Sequence, residues 1–210
     1  MAAGPDVQLQ GTPPPDPGAG EGQAPWSGVA RQVRSLLIWV VLALVLRTWV
    51  IEPRWIPSGS MLPSLQLQDR ILVEKLTPRL GAPLKPGTVV VFHPPASLVA
   101  AGYDPRAALI KRVVAGPGDT VAVQGGRLLR DGVAIEPDWT PTTINYSQEI
   151  NTVPPGQLWV LGDNRNASLD SHIWGPLPRD EVIGTAIWRY WPLNRFGPIR
   201  FSPIAEAGSS

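Results

Sequence analysis

The chain contains no cysteine and only two histidines, His93 and His172, among its 210 residues. Zinc sites of the common type need three or four Cys or His ligands, so the sequence predicts no such metal centre and no disulfide. Acidic and basic residues nearly balance, 17 against 18, and the arginines are scattered rather than clustered. A basic patch is the electrostatic footprint of a nucleic-acid-binding protein, so we expect no nucleic-acid partner, and we expect no cofactor.

Long apolar runs are also scarce, and the strongest covers residues 36–46. A bilayer core is spanned by roughly 20 residues, so this run needs its flanks to cross a membrane. Arg47 can extend its charge to the headgroups, and Trp49 and Trp55 suit the membrane interface. No small-x-small cleavage site follows the run. We therefore predict an uncleaved transmembrane anchor over residues 31–52, rather than a buried core helix or a cleaved signal.

The chain divides into an N-terminal tail, the anchor and one domain. Residues 1–25 hold six prolines and five glycines and carry only acidic charges, which predicts a disordered tail that extends to residue 30. Residues 53–204 are long enough for one modest domain, and residues 205–210 are predicted to be a flexible C-terminus. Arginines flank the anchor on both sides, so charge alone does not orient it.

The pattern after residue 56 is mostly β. Short β-branched runs, bounded by Pro and Gly, predict strands at residues 71–75, 88–92, 109–114, 157–161 and 182–191. The Asp131-Gly132 pair at the centre of residues 127–135 predicts a hairpin on a type I′ turn. We find no helical period longer than about two turns after the anchor.

A short serine turn, Ile56-Pro57-Ser58-Gly59-Ser60-Met61-Leu62-Pro63, follows the anchor closely. Proline restricts φ and glycine admits conformations that other residues avoid, so the turn can be rigid and present Ser60 outward. Ser60 is therefore a candidate nucleophile near a bilayer surface. On this stretch alone, an ordinary Pro/Ser/Gly loop is an equally good interpretation.

A serine hydroxyl is a weak nucleophile until a neighbouring base accepts its proton. Neither histidine lies in a known triad motif, which leaves three lysines. Lys85 adjoins a Pro-Gly turn and Lys75 lies beside Glu74, whereas Lys111 lies inside an apolar strand. Burial can lower a lysine pKa by about 3–5 units, which would make Lys111 a usable base. Judged on that strand alone, an exposed lysine paired with a carboxylate is the favoured alternative.

A third cluster, residues 162–176, follows a predicted strand and is dense in hydrogen-bonding groups. It contains Trp174 among many small polar residues. That mixture is more typical of a shell that supports a catalytic pair than of a solvated loop.

Taken together, these segments resemble the bacterial type I signal peptidases (leader peptidases), most closely in the style of cyanobacterial and thylakoid-type members. The resemblance covers roughly residues 35–200, and its motifs occur in the family's order: the anchor and residues 57–61, 69–75, 111–119, 162–176 and 191–193. Two positions depart from the family pattern. His172 stands where an arginine is frequent, and Thr88 stands where an aspartate is frequent.

The resemblance implies a signal-peptidase-type β-sheet catalytic domain preceded by one transmembrane helix. It implies a serine endopeptidase that removes N-terminal signal peptides from exported preproteins through an acyl-enzyme. Ser60 would be the nucleophile and Lys111 the general base. The Ser60 backbone N–H and the Ser58 hydroxyl would form the oxyanion hole.

The resemblance also implies supporting and substrate-binding residues. Ser168 would hydrogen-bond to Lys111 and orient it, and Asp170 would form a structural ion pair with Arg165. Preprotein substrates would carry small residues at positions −1 and −3, and would bind as an extended strand in shallow apolar pockets. The candidate pocket residues are Ile56, Pro57, Met61, Leu65, Ile71 and Ile110.

The implied partners are preproteins and the lipid bilayer. The tail would lie in the cytoplasm and the domain on the trans side of a plasma or thylakoid membrane.

Three other protein classes fit less well. A penicillin-binding or β-lactamase-type enzyme needs Ser-x-x-Lys, which is absent. A self-cleaving repressor needs a DNA-binding helix pair before its β-domain, and the sequence predicts no such pair. A membrane-tethered binding module would not need the serine turn, the lysine strand and the polar loop together.

Overall fold

The computed structural model describes residues 26–135 and 143–199. The predicted tail before residue 26 and the C-terminus after residue 204 lie outside the described residues. The disorder predicted for residues 1–25 and 205–210 therefore stays a prediction, whereas residues 26–30, predicted as the end of the tail, belong to the first helix.

The first helix, α1, covers Trp26–Val45 and continues as one π-helical turn, Leu46–Val50. The stretch Gly28–Val50 is 23 residues long and contains an 18-residue window with a mean hydropathy of 1.9 and no buried residue, so its length and composition suffice to cross a membrane. The helical segment ends two residues earlier than the sequence predicted. Ile51 and Glu52 instead begin strand β1, where Ile51 pairs with Glu74.

Most of the remaining described chain forms two antiparallel sheets, which confirms the predicted mostly β fold. The larger sheet has the strand order β1-β2-β11-β3-β4-β9-β10, with β12 paired to β11. Its strands are β1 Ile51–Trp55, β2 Arg70–Glu74, β3 Val89–Phe92, β4 Leu109–Ala115, β9 Gln157–Leu161, β10 Leu177–Pro178, β11 Val182–Trp191 and β12 Gly197–Pro198.

The smaller sheet has the order β7-β6-β5-β8. Its strands are β5 Thr120–Gln124, β6 Arg127–Arg130, β7 Val133–Ile135 and β8 Gln148–Thr152. The predicted hairpin is confirmed, because Asp131 and Gly132 both have positive φ, as a type I′ turn requires. Short helices interrupt the strands: α2 Leu76–Arg79, α3 Ala96–Ala100 and α4 Ser171–Trp174.

Strand β4 lies near the middle of the larger sheet, between β3 and β9. Residues 110–115 are all buried, as expected of a central strand covered on both faces. One apolar cluster packs the segment after β1 against β2, β3 and β11. Lys111 pairs in register with Val90 and thus lies inside the sheet rather than at its edge.

The loop between β1 and β2 is fixed at its base by Asp69, whose side chain is 1% exposed. Its carboxylate accepts a bidentate contact from Arg195 Nη1 at 2.9 and 3.1 Å and a hydrogen bond from the Gln66 N–H at 2.9 Å. The backbones of Ile56 and Asp69 are joined by an N–H to carbonyl bond of 2.9 Å. These contacts close the loop that carries the serine turn.

We predict that Asp69→Ala lowers the free energy of unfolding by about 3 kcal/mol, because removal of one partner of a buried ion pair leaves the other uncompensated. Urea unfolding of the detergent-solubilised protein measures this change. Asp180→Ala, at an exposed carboxylate, is the matched control and should change stability by less than about 0.5 kcal/mol. Equal stability losses in the two variants would contradict the assignment.

Candidate active site

Ser60 is the second residue of a 3₁₀ turn, Gly59–Met61. The first N–H groups of a helical turn have no intrahelical acceptor, so the Ser60 N–H is free to bind another group. The Ser60 carbonyl accepts a hydrogen bond from the Asn164 N–H at 3.1 Å, and Asn164 Nδ2 donates to the Gly59 carbonyl at 3.2 Å. The serine turn is therefore held by the loop that follows β9.

Lys111 reaches the same point from β4. Its Nζ lies 2.7 Å from Ser60 Oγ, and the residue is only 4% exposed. Burial lowers the pKa of Lys111 from 10.5 to about 8, although the carboxylates of Asp170 and Asp163 act in the opposite direction. About a tenth of this amine is thus neutral at pH 7, far more than for a lysine with the usual pKa of about 10.4, and able to accept a proton from the hydroxyl.

Ser58 lies on the open side of the pair. Its Oγ is 3.3 Å from Ser60 Oγ, and its side chain is exposed. The Ser58 hydroxyl and the Ser60 N–H are two donors next to one hydroxyl oxygen. Two such donors match the requirements of an oxyanion hole.

Gly162 packs closely against both Ser60 and Ser168. A Cβ placed on Gly162 would lie 2.5 Å from the Ser60 carbonyl oxygen and 2.5 Å from Ser168 Cβ. The absence of a side chain is therefore what lets the loop after β9 pack against the serine turn.

The predicted hydrogen bond between Ser168 and Lys111 is wrong for this structure. Ser168 Oγ is buried and has no hydrogen-bond partner among the described residues. Lys111 Nζ instead contacts Ser60. The structure does bring Ser168 into the site, beside Gly162, but not into contact with the amine.

The predicted ion pair between Asp170 and Arg165 is also wrong. Asp170 accepts a hydrogen bond from the backbone N–H of His172 at the start of α4, and its Oδ1 lies 2.7 Å from His172 Nδ1. Its second oxygen accepts from the Gly162 N–H at 2.9 Å. Arg165 Nε donates to the Gly162 carbonyl at 3.1 Å. Because Asp170 caps α4, its carboxylate is directed to the imidazole rather than to the guanidinium.

Sequence reasoning missed a buried ion pair between Arg112, which follows Lys111, and Asp163, which follows Gly162. Arg112 Nε and Nη2 contact the two carboxylate oxygens of Asp163 at 2.8 and 2.7 Å, and Arg112 Nη1 donates to the Gly87 carbonyl at 2.7 Å. Both side chains are at most 2% exposed. An arginine inside an otherwise apolar strand was the available signal, because such a residue requires a buried partner.

A groove with a cavity volume of about 190 Å³ adjoins the site. Four of the six predicted pocket residues line it, namely Ile56, Pro57, Ile71 and Ile110. The predictions for Met61 and Leu65 are wrong for this groove, because neither residue lines it and both side chains pack in the apolar core cluster. The lining that sequence reasoning missed comprises Arg54, Trp55, Val91, Ala108 and Leu109.

A metal centre would need a cluster of acidic or histidine ligands. Within residues 26–135 and 143–199, no group of three or more such side chains is placed to hold a metal ion.

Comparisons of the sequence with known proteins point to one family. The family model described as "Signal peptidase, peptidase S26" matches residues 29–191. The chain is 41% identical over 199 residues to the signal peptidase I of Leptolyngbya laminosa, which covers 95% of this chain and 97% of that protein. It is 39% identical over 159 residues to thylakoidal processing peptidase 1 of Arabidopsis thaliana, across 74% of this chain and 46% of that one.

Among solved structures, a signal peptidase I from Enterococcus faecalis V583 matches with a TM-score of 0.40 and 24% identity, over 48% of this chain and 94% of that one. The family match and the sequence relatives are sufficient for a conclusion. The chain belongs to the signal peptidase family, peptidase S26. This confirms the resemblance seen in the sequence motifs, including its cyanobacterial and thylakoid-type character, and the predicted enzyme class.

We predict that Gly162→Ala lowers kcat/KM about 100-fold, because the added methyl displaces the Ser60 backbone and misplacement by about 1 Å can cost that much. Gly116→Ala is the matched control, since a Cβ there would meet only Asp119 Oδ2 at 3.9 Å. Steady-state kinetics on folded protein, checked by circular dichroism, measures both variants. Full activity of Gly162→Ala would contradict the close packing that we describe.

Proposed function

We propose that this chain is a membrane-anchored serine endopeptidase that removes N-terminal signal peptides from exported preproteins through a Ser60–Lys111 dyad and an acyl-enzyme. The observation that carries the proposal is the 2.7 Å separation between Lys111 Nζ and Ser60 Oγ. The burial that lowers the lysine pKa to about 8 supplies the neutral amine that a general base requires.

The reaction begins when neutral Lys111 takes the proton from Ser60 and the alkoxide oxygen attacks the scissile carbonyl. The resulting oxyanion is stabilised by the Ser60 N–H and the Ser58 hydroxyl. Collapse of the intermediate breaks the peptide C–N bond, and Lys111 donates its proton to the leaving amine. Lys111 then takes a proton from water, whose oxygen attacks the carbonyl of the Ser60 ester. The second intermediate collapses as the ester bond to Ser60 breaks, Lys111 returns the proton to Ser60 Oγ, and the signal peptide leaves with a free carboxylate.

The groove beside the dyad supports a preference for small residues at positions −1 and −3. Its volume of about 190 Å³ is modest, and Ile56, Ile71 and Ile110 provide apolar walls. An extended substrate backbone would bind in the manner of an added strand, with alternate side chains directed into the groove. Pro57, which lines the groove, directly precedes Ser58 in the chain, so the groove lies next to the serine turn.

The apolar helix gives the enzyme access to its substrates. A signal peptide carries its own apolar segment, and anchoring in the same bilayer delivers both partners to one surface. We propose a single-pass anchor, with the N-terminus in the cytoplasm and the domain after residue 52 on the trans side of a plasma or thylakoid membrane. The length and hydropathy of Gly28–Val50 support this arrangement.

Cleavage of a preprotein with an Ala-x-Ala site tests the proposal. We expect the detergent-solubilised wild type to cleave after the second alanine, and Ser60→Ala and Lys111→Ala to be inactive. The product is identified by mass spectrometry of its new N-terminus. Ser97→Ala and Lys85→Ala, at exposed positions, are the matched controls and should retain activity.

Absence of cleavage by folded wild type would favour the tethered binding module over the peptidase. Cleavage that survives in Lys111→Ala would keep the peptidase and reject the general base.

A separate prediction concerns the oxyanion hole. Ser58→Ala should lower kcat by about 100- to 1,000-fold, because one donor to the oxyanion is lost, while KM changes little. Ser97→Ala again serves as the control, and steady-state kinetics separates the two parameters. Unchanged turnover in Ser58→Ala would remove this hydroxyl from the mechanism.

A third prediction concerns selectivity at position −3. Ile71→Ala enlarges the groove, so the ratio of kcat/KM for a bulky residue to that for alanine at −3 should rise about 10-fold or more, the order expected for the removal of methylene groups from a pocket wall. Leu65→Ala is the matched control, since it removes a fully buried side chain of the same core cluster that does not line the groove. Equal selectivity in both variants would reject Ile71 as a wall of this subsite.

A further inference from the structure

His172 occupies a fixed position beside the site. Its Nδ1 lies 2.7 Å from Asp170 Oδ1, and its ring stacks on Tyr146 with a centroid separation of 4.1 Å and an interplanar angle of 12°. The side chain of His172 is 14% exposed. The imidazole is therefore restrained on one edge and one face, yet protons from solvent can still reach it.

Asp170 connects this imidazole to the serine turn. The carboxylate is completely buried, and its Oδ2 accepts a hydrogen bond from the Gly162 N–H at 2.9 Å. A Cβ on Gly162 would lie only 2.5 Å from the Ser60 carbonyl oxygen, so the Gly162 backbone packs directly against the serine turn. A continuous set of contacts thus runs from His172 through Asp170 and Gly162 to Ser60.

Asp170 also acts on Lys111 through its charge. Burial lowers the pKa of Lys111, and the Asp170 carboxylate is the largest influence that opposes this shift. A positive charge on His172 would offset the carboxylate and favour the neutral amine. A neutral imidazole would leave the carboxylate uncompensated and favour the ammonium.

The other charged or titratable groups around this cluster are Asp163, Arg112, Arg165 and Tyr146. Asp163 is held in the bidentate ion pair with Arg112, and arginine keeps its charge throughout the working pH range. Burial raises the pKa of Tyr146 to about 12, so the phenol stays neutral. Histidine, by contrast, is the residue type that changes charge near neutral pH.

We propose that His172 is a positioning residue that acts through Asp170, where it sets both the placement of the serine turn and the electrostatic field at Lys111. A fixed positive charge at this position would therefore offset the Asp170 carboxylate and move the acid side of the pH–rate profile to lower pH. This inference rests on the proposed function, because it needs Lys111 to be the general base.

The test compares the pH dependence of kcat/KM for wild type, His172→Arg and His172→Gln. The fixed positive charge in His172→Arg should place the acid limb at lower pH than in the neutral variant His172→Gln. We expect the two limbs to be separated by about half a pH unit or more, the order expected for a charge that acts through one intervening group. His93→Gln, at the other and exposed histidine, should leave the profile unchanged.

A merely structural role would lower the rate of both variants without moving their limbs, and that result would overturn the proposal. Asp170→Asn provides a second route if a His172 variant does not fold. It removes the carboxylate but leaves the imidazole, so the acid limb should move to lower pH, and an unmoved limb would also overturn the proposal. Failure of the proposed function is distinguished by the Ala-x-Ala cleavage assay, in which folded wild type would not cleave, and failure of the general base by cleavage that survives in Lys111→Ala, whatever the profiles show.

Discussion

The burial of the Lys111 amine against Ser60 Oγ is the interaction on which the rest of this structure depends. A charged ammonium at 4% exposure is costly, and the protein has no direct carboxylate contact to Lys111 Nζ among its described residues. Burial therefore shifts the equilibrium toward the neutral amine, and the pKa of Lys111 falls to about 8. Strand β4 creates this situation, because it lies between β3 and β9 and buries both of its faces.

Three segments far apart in sequence must be held together around that amine. Asp69 closes the loop that carries Ser60, and the Arg112–Asp163 pair joins β4 to the loop after β9. Gly162 then allows this loop to contact the serine turn backbone to backbone. Each connection depends on a buried charge or on the absence of a side chain. Asp69, the Arg112–Asp163 pair and Gly162 hold together the segments that carry Ser60, Lys111 and Ser168.

Much of the fold and of the central pair could be predicted from local patterns. Alternating β-branched runs define most strands. The strand around Lys111 does not by itself predict a buried lysine, and only the ordered motifs that resemble the signal peptidases assign it as the base. The partner of Asp170 could not be predicted, because it depends on the position of Asp170 as the N-cap of α4, which directs the carboxylate to His172. Met61 and Leu65 were assigned to the groove because they are apolar, and only the turn geometry places them in the core instead. Arg54 was missed because a charged residue does not resemble a pocket wall.

Direct titration of the Lys111 side chain tests this account most closely. Nitrogen-detected NMR on the folded, detergent-solubilised wild type would follow Nζ as pH rises, with exposed Lys85 as the internal reference. The account predicts a midpoint of about 8 for Lys111. A midpoint near that of a free lysine, about 10.4, would show that burial does not prepare this amine as a base and would contradict the central claim.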